Sequence, residues 1–96
     1  MTEAPKQYQV VQLLRILVQR IKAHSADYSS LDVLVSPPHA PGQPYTIDVS
    51  DGRFSRRIWV DAQTANNLQS GMVDARLSRE LRSTMMTVTK LASRRS

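Results

Sequence analysis

Apolar residues recur near the start of the chain at Val10, Leu13, Leu14, Leu17, Val18 and Ile21. That i, i+3, i+4, i+7, i+8, i+11 spacing winds one apolar stripe along a helix and predicts an α-helix from Lys6 to about His24. Gln12, Arg15, Gln19 and Lys22 form the opposite stripe, and Ile16 is left towards the polar side. After a polar loop at His24–Ser30 the period drops to two over Leu31–Val35, a short strand with Leu31, Val33 and Val35 on one face. Ser36–Pro44 then holds four of the five prolines plus Gly42. It reads as an extended connection or wide turn, because each proline lacks an N–H donor and restricts the residue before it.

Tyr45–Val60 carries the strongest local signal. Two alternating runs, Tyr45–Ser50 and Arg53–Val60, are separated by Asp51-Gly52, a dipeptide suited to a two-residue type I′ hairpin turn. That turn would pair Ser50 with Arg53, Val49 with Phe54, Ile47 with Arg56 and Tyr45 with Ile58. Tyr45, Ile47, Val49, Phe54, Ile58 and Val60 then share one face, and Thr46, Asp48, Ser50, Arg53, Ser55, Arg57 and Trp59 the other. Two residues fit this scheme poorly. Arg56 falls on the apolar face, where its stem would pack with its head at the edge, and Trp59 falls among arginines on the polar face.

Asp61 is placed to cap a helix over Ala62–Gln69, and Ser70-Gly71 interrupts it, since glycine suits the residue just past a helix end. From Met72 to about Ala92 a second helical stripe follows: Val73, Leu77, Leu81, Thr84, Met85, Val88, Leu91 and Ala92 on one side, Arg76, Arg79, Ser83, Met86 and Lys90 on the other. Residues 62–92 are thus two helices, or one helix kinked at Gly71. The expected fold is an α+β two-layer sandwich of order α-β-β-β-α(-α). Its sheet is a three-stranded antiparallel meander with the helices packed on one face and the other face open.

The 96 residues suit a single domain, 1–96, with 1–5 and 93–96 expected to fray. No cysteine is present, which removes disulfides, redox dithiols and thiolate metal sites. His24 and His39 have no carboxylate cluster beside them, so no metal and no cofactor is expected. No run approaches the ~18 apolar residues of a membrane span. Glu3, Pro5 and Arg15 argue against a secretory signal at the start, and a cytoplasmic location is expected. The net charge of +5 comes from ten Arg and three Lys against eight acids, which raises nucleic acid as a partner without requiring it.

Two surfaces stand out. Arg53, Arg57 and Trp59 would project together from one strand, on which same-face neighbours lie about 7 Å apart, as in sheets that bind single strands through guanidinium–phosphate contacts and ring stacking. The same residues suit a protein or homodimer interface, where Trp and Arg are enriched, and Asp48 could pair with Arg57 or Arg53 across the hairpin. The second surface is the stripe Arg76, Arg79 and Lys90, with Arg82 at its edge, which could lie along a phosphate backbone or be an ordinary solvated face. For catalysis, His39 has neither a nucleophile nor an oxyanion donor fixed beside it, and Gly42, Gly52 and Gly71 are too far apart for a phosphate loop.

The order helix, three strands, helix over about Lys6–Gln69 resembles the double-stranded RNA-binding domain, with Ser36-Pro37-Pro38-His39 standing where that family has a Gly-Pro-x-His loop. The resemblance implies a similar sheet covered by helices. It departs where the family's second helix opens with a lysine cluster, since this one opens Asp61-Ala62-Gln63-Thr64, and no site residue is carried over. The expected function is therefore a small non-enzymatic protein-interaction or self-associating module with no small-molecule substrate. The alternative is a nucleic-acid-binding module using Arg53, Arg57, Trp59, Arg76, Arg79 and Lys90.

Overall fold

The first apolar stripe becomes α1, Glu3–Lys22, in the computed structural model, which describes residues 3–71 and 75–95, with side chains placed for 8–71 and 75–91. Val10, Val11, Leu14, Val18 and Ile21 are buried, and Leu13 and Leu17 are half-buried at the margin. The helix starts before Lys6 and includes Pro5. Proline is tolerated in a first turn because the N–H groups there have no intrahelical partner. The helices take in residues 3–5 at one end of the chain and 93–95 at the other. At the other end α1 stops at Lys22 rather than His24, because the His24 N–H reaches back only three residues, to the Ile21 carbonyl at 3.1 Å. Lys22 Nζ donates to the Leu31 carbonyl at 2.8 Å, which ties the helix end to the start of the sheet.

A 3₁₀ turn at Ala26–Tyr28 leads into β1, Asp32–Ser36, followed by β2, Tyr45–Ser50, and β3, Ser55–Val60. The strands pair antiparallel in the order β1-β2-β3, the expected meander. The hairpin register differs from the expected one by two residues: Ser50 faces Ser55, Val49 faces Arg56, Ile47 faces Ile58 and Tyr45 faces Val60. The reason lies in the turn. A type I′ turn needs positive φ at both central residues, and here Gly52 has φ +98° while Asp51 does not. The chain instead uses a longer loop, Asp51–Phe54, built on one carboxylate. Asp51 Oδ1 accepts from the Phe54 N–H at 2.7 Å and the Arg53 N–H at 3.0 Å, and Ser50 Oγ accepts from the Gly52 N–H at 3.0 Å. A two-residue shift leaves the faces unchanged, because side chains alternate with period two. Phe54 ends up in the loop, half-buried against the core, and Arg56 is exposed rather than packed.

Asp61 caps α2, Ala62–Gln69, accepting from the Thr64 N–H at 2.8 Å. Gly71 ends it with φ +83°, a left-handed conformation that no continuous helix contains, so the two-helix alternative holds. The last helix, α3, is described over Ala75–Arg95. Val73, expected in the core, lies outside the described residues. Leu77, Leu81, Met85 and Val88 are buried as expected, and Thr84 and Leu91 are half-buried. α3 lies over β3 and β2, α1 lies over β1, and the two helices touch. Their stripes meet Tyr45, Ile47, Val49, Ile58 and Val60 in one core cluster. The result is the expected two-layer α+β sandwich with one sheet face open.

Two outcomes test this arrangement. Leu14 is fully buried and Ile16, on the same helix, is 51% exposed. Leu14→Ala should cost about 2–5 kcal/mol in urea unfolding, whereas Ile16→Ala should stay within about 0.5 kcal/mol. Similar losses at both positions would mean that α1 is turned differently. Backbone hydrogen bonds from Phe54 and Arg53 hold the Asp51 carboxyl below its ordinary pKa, and those from Thr64 do the same for Asp61. A depressed folded pKa adds stability above the unfolded value of about 3.9, and that stability is lost as pH falls through the folded value. Asp51→Asn/Asp61→Asn should therefore flatten the fall of melting temperature with pH in the acid range. Parallel slopes in parent and variant would assign the acid sensitivity elsewhere.

Candidate functional site

Alternation and register together place three rows of side chains across the open face: Asp32–Ser50–Ser55, Leu34–Asp48–Arg57 and Ser36–Thr46–Trp59. Because Asp48 and Arg57 face each other across β2 and β3, they bond directly, Arg57 Nε to Asp48 Oδ1 at 2.7 Å, with Nη2 to Oδ2 at 3.4 Å. The bond and the carboxylate charge raise the pKa of the guanidinium further, so it stays protonated. The pair carries no net charge. On either side of it stand two large apolar residues open to solvent, Leu34 at 59% and Trp59 at 62% exposure.

Trp59 stands at the end of the sheet furthest from the hairpin loop, between two shallow clefts. One, of about 380 Å³, is bounded by Gln43 and Pro44 of the proline-rich loop and by Asp61 and Ala62. The other, of about 80 Å³, is bounded by Thr64, Arg76, Leu77 and Glu80. A third cavity, of about 260 Å³, lies beneath the proline-rich loop against Val10, Tyr45 and Ala65, with no charged side chain in its lining. Among the described residues no group of three His, Cys, Asp or Glu could hold a metal ion, and no helix is long and apolar enough to cross a membrane.

The candidate residues do not form one patch. Arg57 and Trp59 share the open face, but Arg53 sits in the hairpin loop, outside the alternation of β3, so the expected row Arg53–Arg57–Trp59 is not formed. Arg76 lines a cleft with Trp59, and its charge helps to lower the pKa of Asp61. Arg79 and Lys90 are exposed on α3, in the layer on the other side of the sheet.

Charge is divided between the layers. The placed side chains of α1 and α3 include Arg15, Arg20, Lys22, Arg76, Arg79, Arg82 and Lys90 against one acid, Glu80. Strands and loops carry Asp27, Asp32, Asp48, Asp51 and Asp61 against Arg53, Arg56 and Arg57. Among the described residues the basic surface is the helical layer; the strands balance Asp32 and Asp48 against Arg56 and Arg57, and the acid excess lies in the connecting turns and loops. Reasoning from the hairpin arginines alone missed this, although the signal is in the chain, where five of the six aspartates lie between 27 and 61 and most bases lie outside that span.

Comparison with protein-family models, with curated proteins and with solved structures finds no match. The element order shared with the double-stranded RNA-binding domain stands as an order of elements alone.

The exposure of Trp59 has a direct optical consequence, since it is the single tryptophan. In dilute solution its emission should be red-shifted and strongly quenched by acrylamide. A blue-shifted emission that resists quenching at high dilution would show that something covers the open face within one chain.

Proposed function

We propose that this chain is a non-enzymatic, cytoplasmic protein-interaction module that self-associates through the open face of its sheet. The observation that carries this reading is the pairing of exposed Leu34 and Trp59 with an ion pair that cancels its own charge. Apolar groups around a neutral centre suit a protein partner better than a polyanion, which would meet Asp48 wherever it met Arg57.

A second copy fits this face for two physical reasons. Adjacent opposite charges are self-complementary about a two-fold axis: with the axis along the strands between β2 and β3, Asp48 of each copy faces Arg57 of the other. Sheet-to-sheet packing also puts the two basic helical layers on the outside of the stack. Two sheets ~10 Å apart then lie between them, further than the ~8 Å over which salt screens charge. Three strands ~4.8 Å apart and about six residues long offer well under the ~800 Å² per partner of a stable interface. A dimer formed this way is weak and concentration-dependent.

Sedimentation velocity across a wide concentration range tests the proposal. The average mass should rise towards the dimer in the parent, and Leu34→Asp and Trp59→Asp should each hold the chain as a monomer. Ile16→Asp, on the outside of the helical layer, should dimerise like the parent. A parent that stays monomeric throughout, or a dimer blocked by Ile16→Asp and not by Leu34→Asp, would refute the assignment. Circular dichroism of each variant separates loss of the interface from loss of the fold.

A further inference from the structure

The outward side of α3 offers a second surface, with a different chemistry. Leu77, Leu81, Met85 and Val88 face the core, so the 3.6-residue period turns Arg76, Arg79, Ser83, Met86 and Lys90 to the opposite side, with Arg82 at the margin. All of these are exposed. The stripe from Arg76 to Lys90 spans about 21 Å at 1.5 Å per residue. Arg76 shares its charge with Asp61. Among the described residues the ion pair found is Arg57 with Asp48, and none holds Arg79, Arg82 or Lys90. Glu80, the one acid placed on α3, lines the cleft beside Trp59 and Thr64 rather than the stripe.

We propose that this face of α3 binds the phosphate backbone of a nucleic-acid duplex. Three cations with no ion-pair partner among the described residues, on a rigid helix with an exposed Ser83 hydroxyl between them, complement a regular array of phosphates and supply donors without reading base edges. A lipid surface fits less well, since Met86 is the one large apolar side chain exposed on the stripe and nothing flanks it to enter a bilayer. A single strand fits less well too, because the stripe carries no aromatic on which bases could stack. The site rests on the charge of α3 and not on self-association, since the open sheet face lies on the other side of the molecule.

The test is binding of the full chain to a short fluorescent DNA duplex at several salt concentrations. With about three phosphates contacted, log K should fall against log[salt] with a slope near −3, a loss of about 60-fold between about 50 and about 200 mM salt. Arg79→Gln/Lys90→Gln should lower the slope by about 2 and weaken binding at low salt more than about ten-fold, and Arg82→Gln alone should lower the slope by about 1. Arg53→Gln/Arg56→Gln removes the same charge from the hairpin and should bind like the parent, as should Leu34→Asp. Equal weakening by the two double variants would reduce the effect to net charge and overturn the site. So would a parent whose binding is absent or indifferent to salt. Tighter binding to phosphatidylserine vesicles than to the duplex, lost in Arg79→Gln/Lys90→Gln, would reassign the face to membranes.

Discussion

Ile47 lies at the middle of β2 with Val35 on one side and Ile58 on the other, fully removed from solvent, and the apolar face around it is the constraint that the rest of the molecule answers. A three-stranded sheet cannot bury that face against itself. It needs a second layer, and α1 and α3 supply one because each winds its apolar residues into a single stripe. One sheet face is covered by two helices and the other by none of the described elements. The open face, with Leu34 and Trp59 on it, is therefore a product of how the core is satisfied.

The same constraint sorts the charges. Of the aspartates in the strand and loop region, Asp51 closes the hairpin loop, Asp61 caps α2 and Asp48 is bonded to Arg57. Short carboxylates are good acceptors for the backbone N–H groups that turns and helix starts leave unpaired, so they collect where the chain reverses or begins a helix. Arginine and lysine are tolerated within helices and fill the outward sides of α1 and α3. Most of the described acids are thereby held on the strands and loops and most of the bases on the helical layer, which gives opposite sides of one small domain different chemistry.

Placing the helices on one side also explains why the candidate residues part company. Residues drawn together by reading the chain as a list of arginines belong to a loop, a sheet face, a cleft rim and an outer helix face. Arg57 is neutralised by the residue opposite it. Among the described residues Arg79 and Lys90 have no acid across from them, because the outward side of an outer helix meets solvent and not another described element. Pairing across the sheet, and its absence on the helix, decides which cations are available to a partner.

Much of this was legible from the chain. The helical stripes, the three strands, the Asp61 cap, the Gly71 stop and the two faces of the hairpin follow from periodicities of 3.6 and 2 and from residues whose backbone preferences are local. The exposure of Ile16, Leu34 and Met86 follows as well, since each falls off the stripe its neighbours define, whereas the exposure of Trp59 is decided only by what the loops and helices leave uncovered. The hairpin register does not, because Asp51-Gly52 serves a two-residue turn as readily as a longer loop closed by the aspartate carboxylate, and both keep the same faces. Nor does the separation of Arg53 from Arg57 and Trp59, or the approach of Arg76 to Trp59. Each of these depends on which elements end up side by side, and that is settled only when the helices close over Ile47.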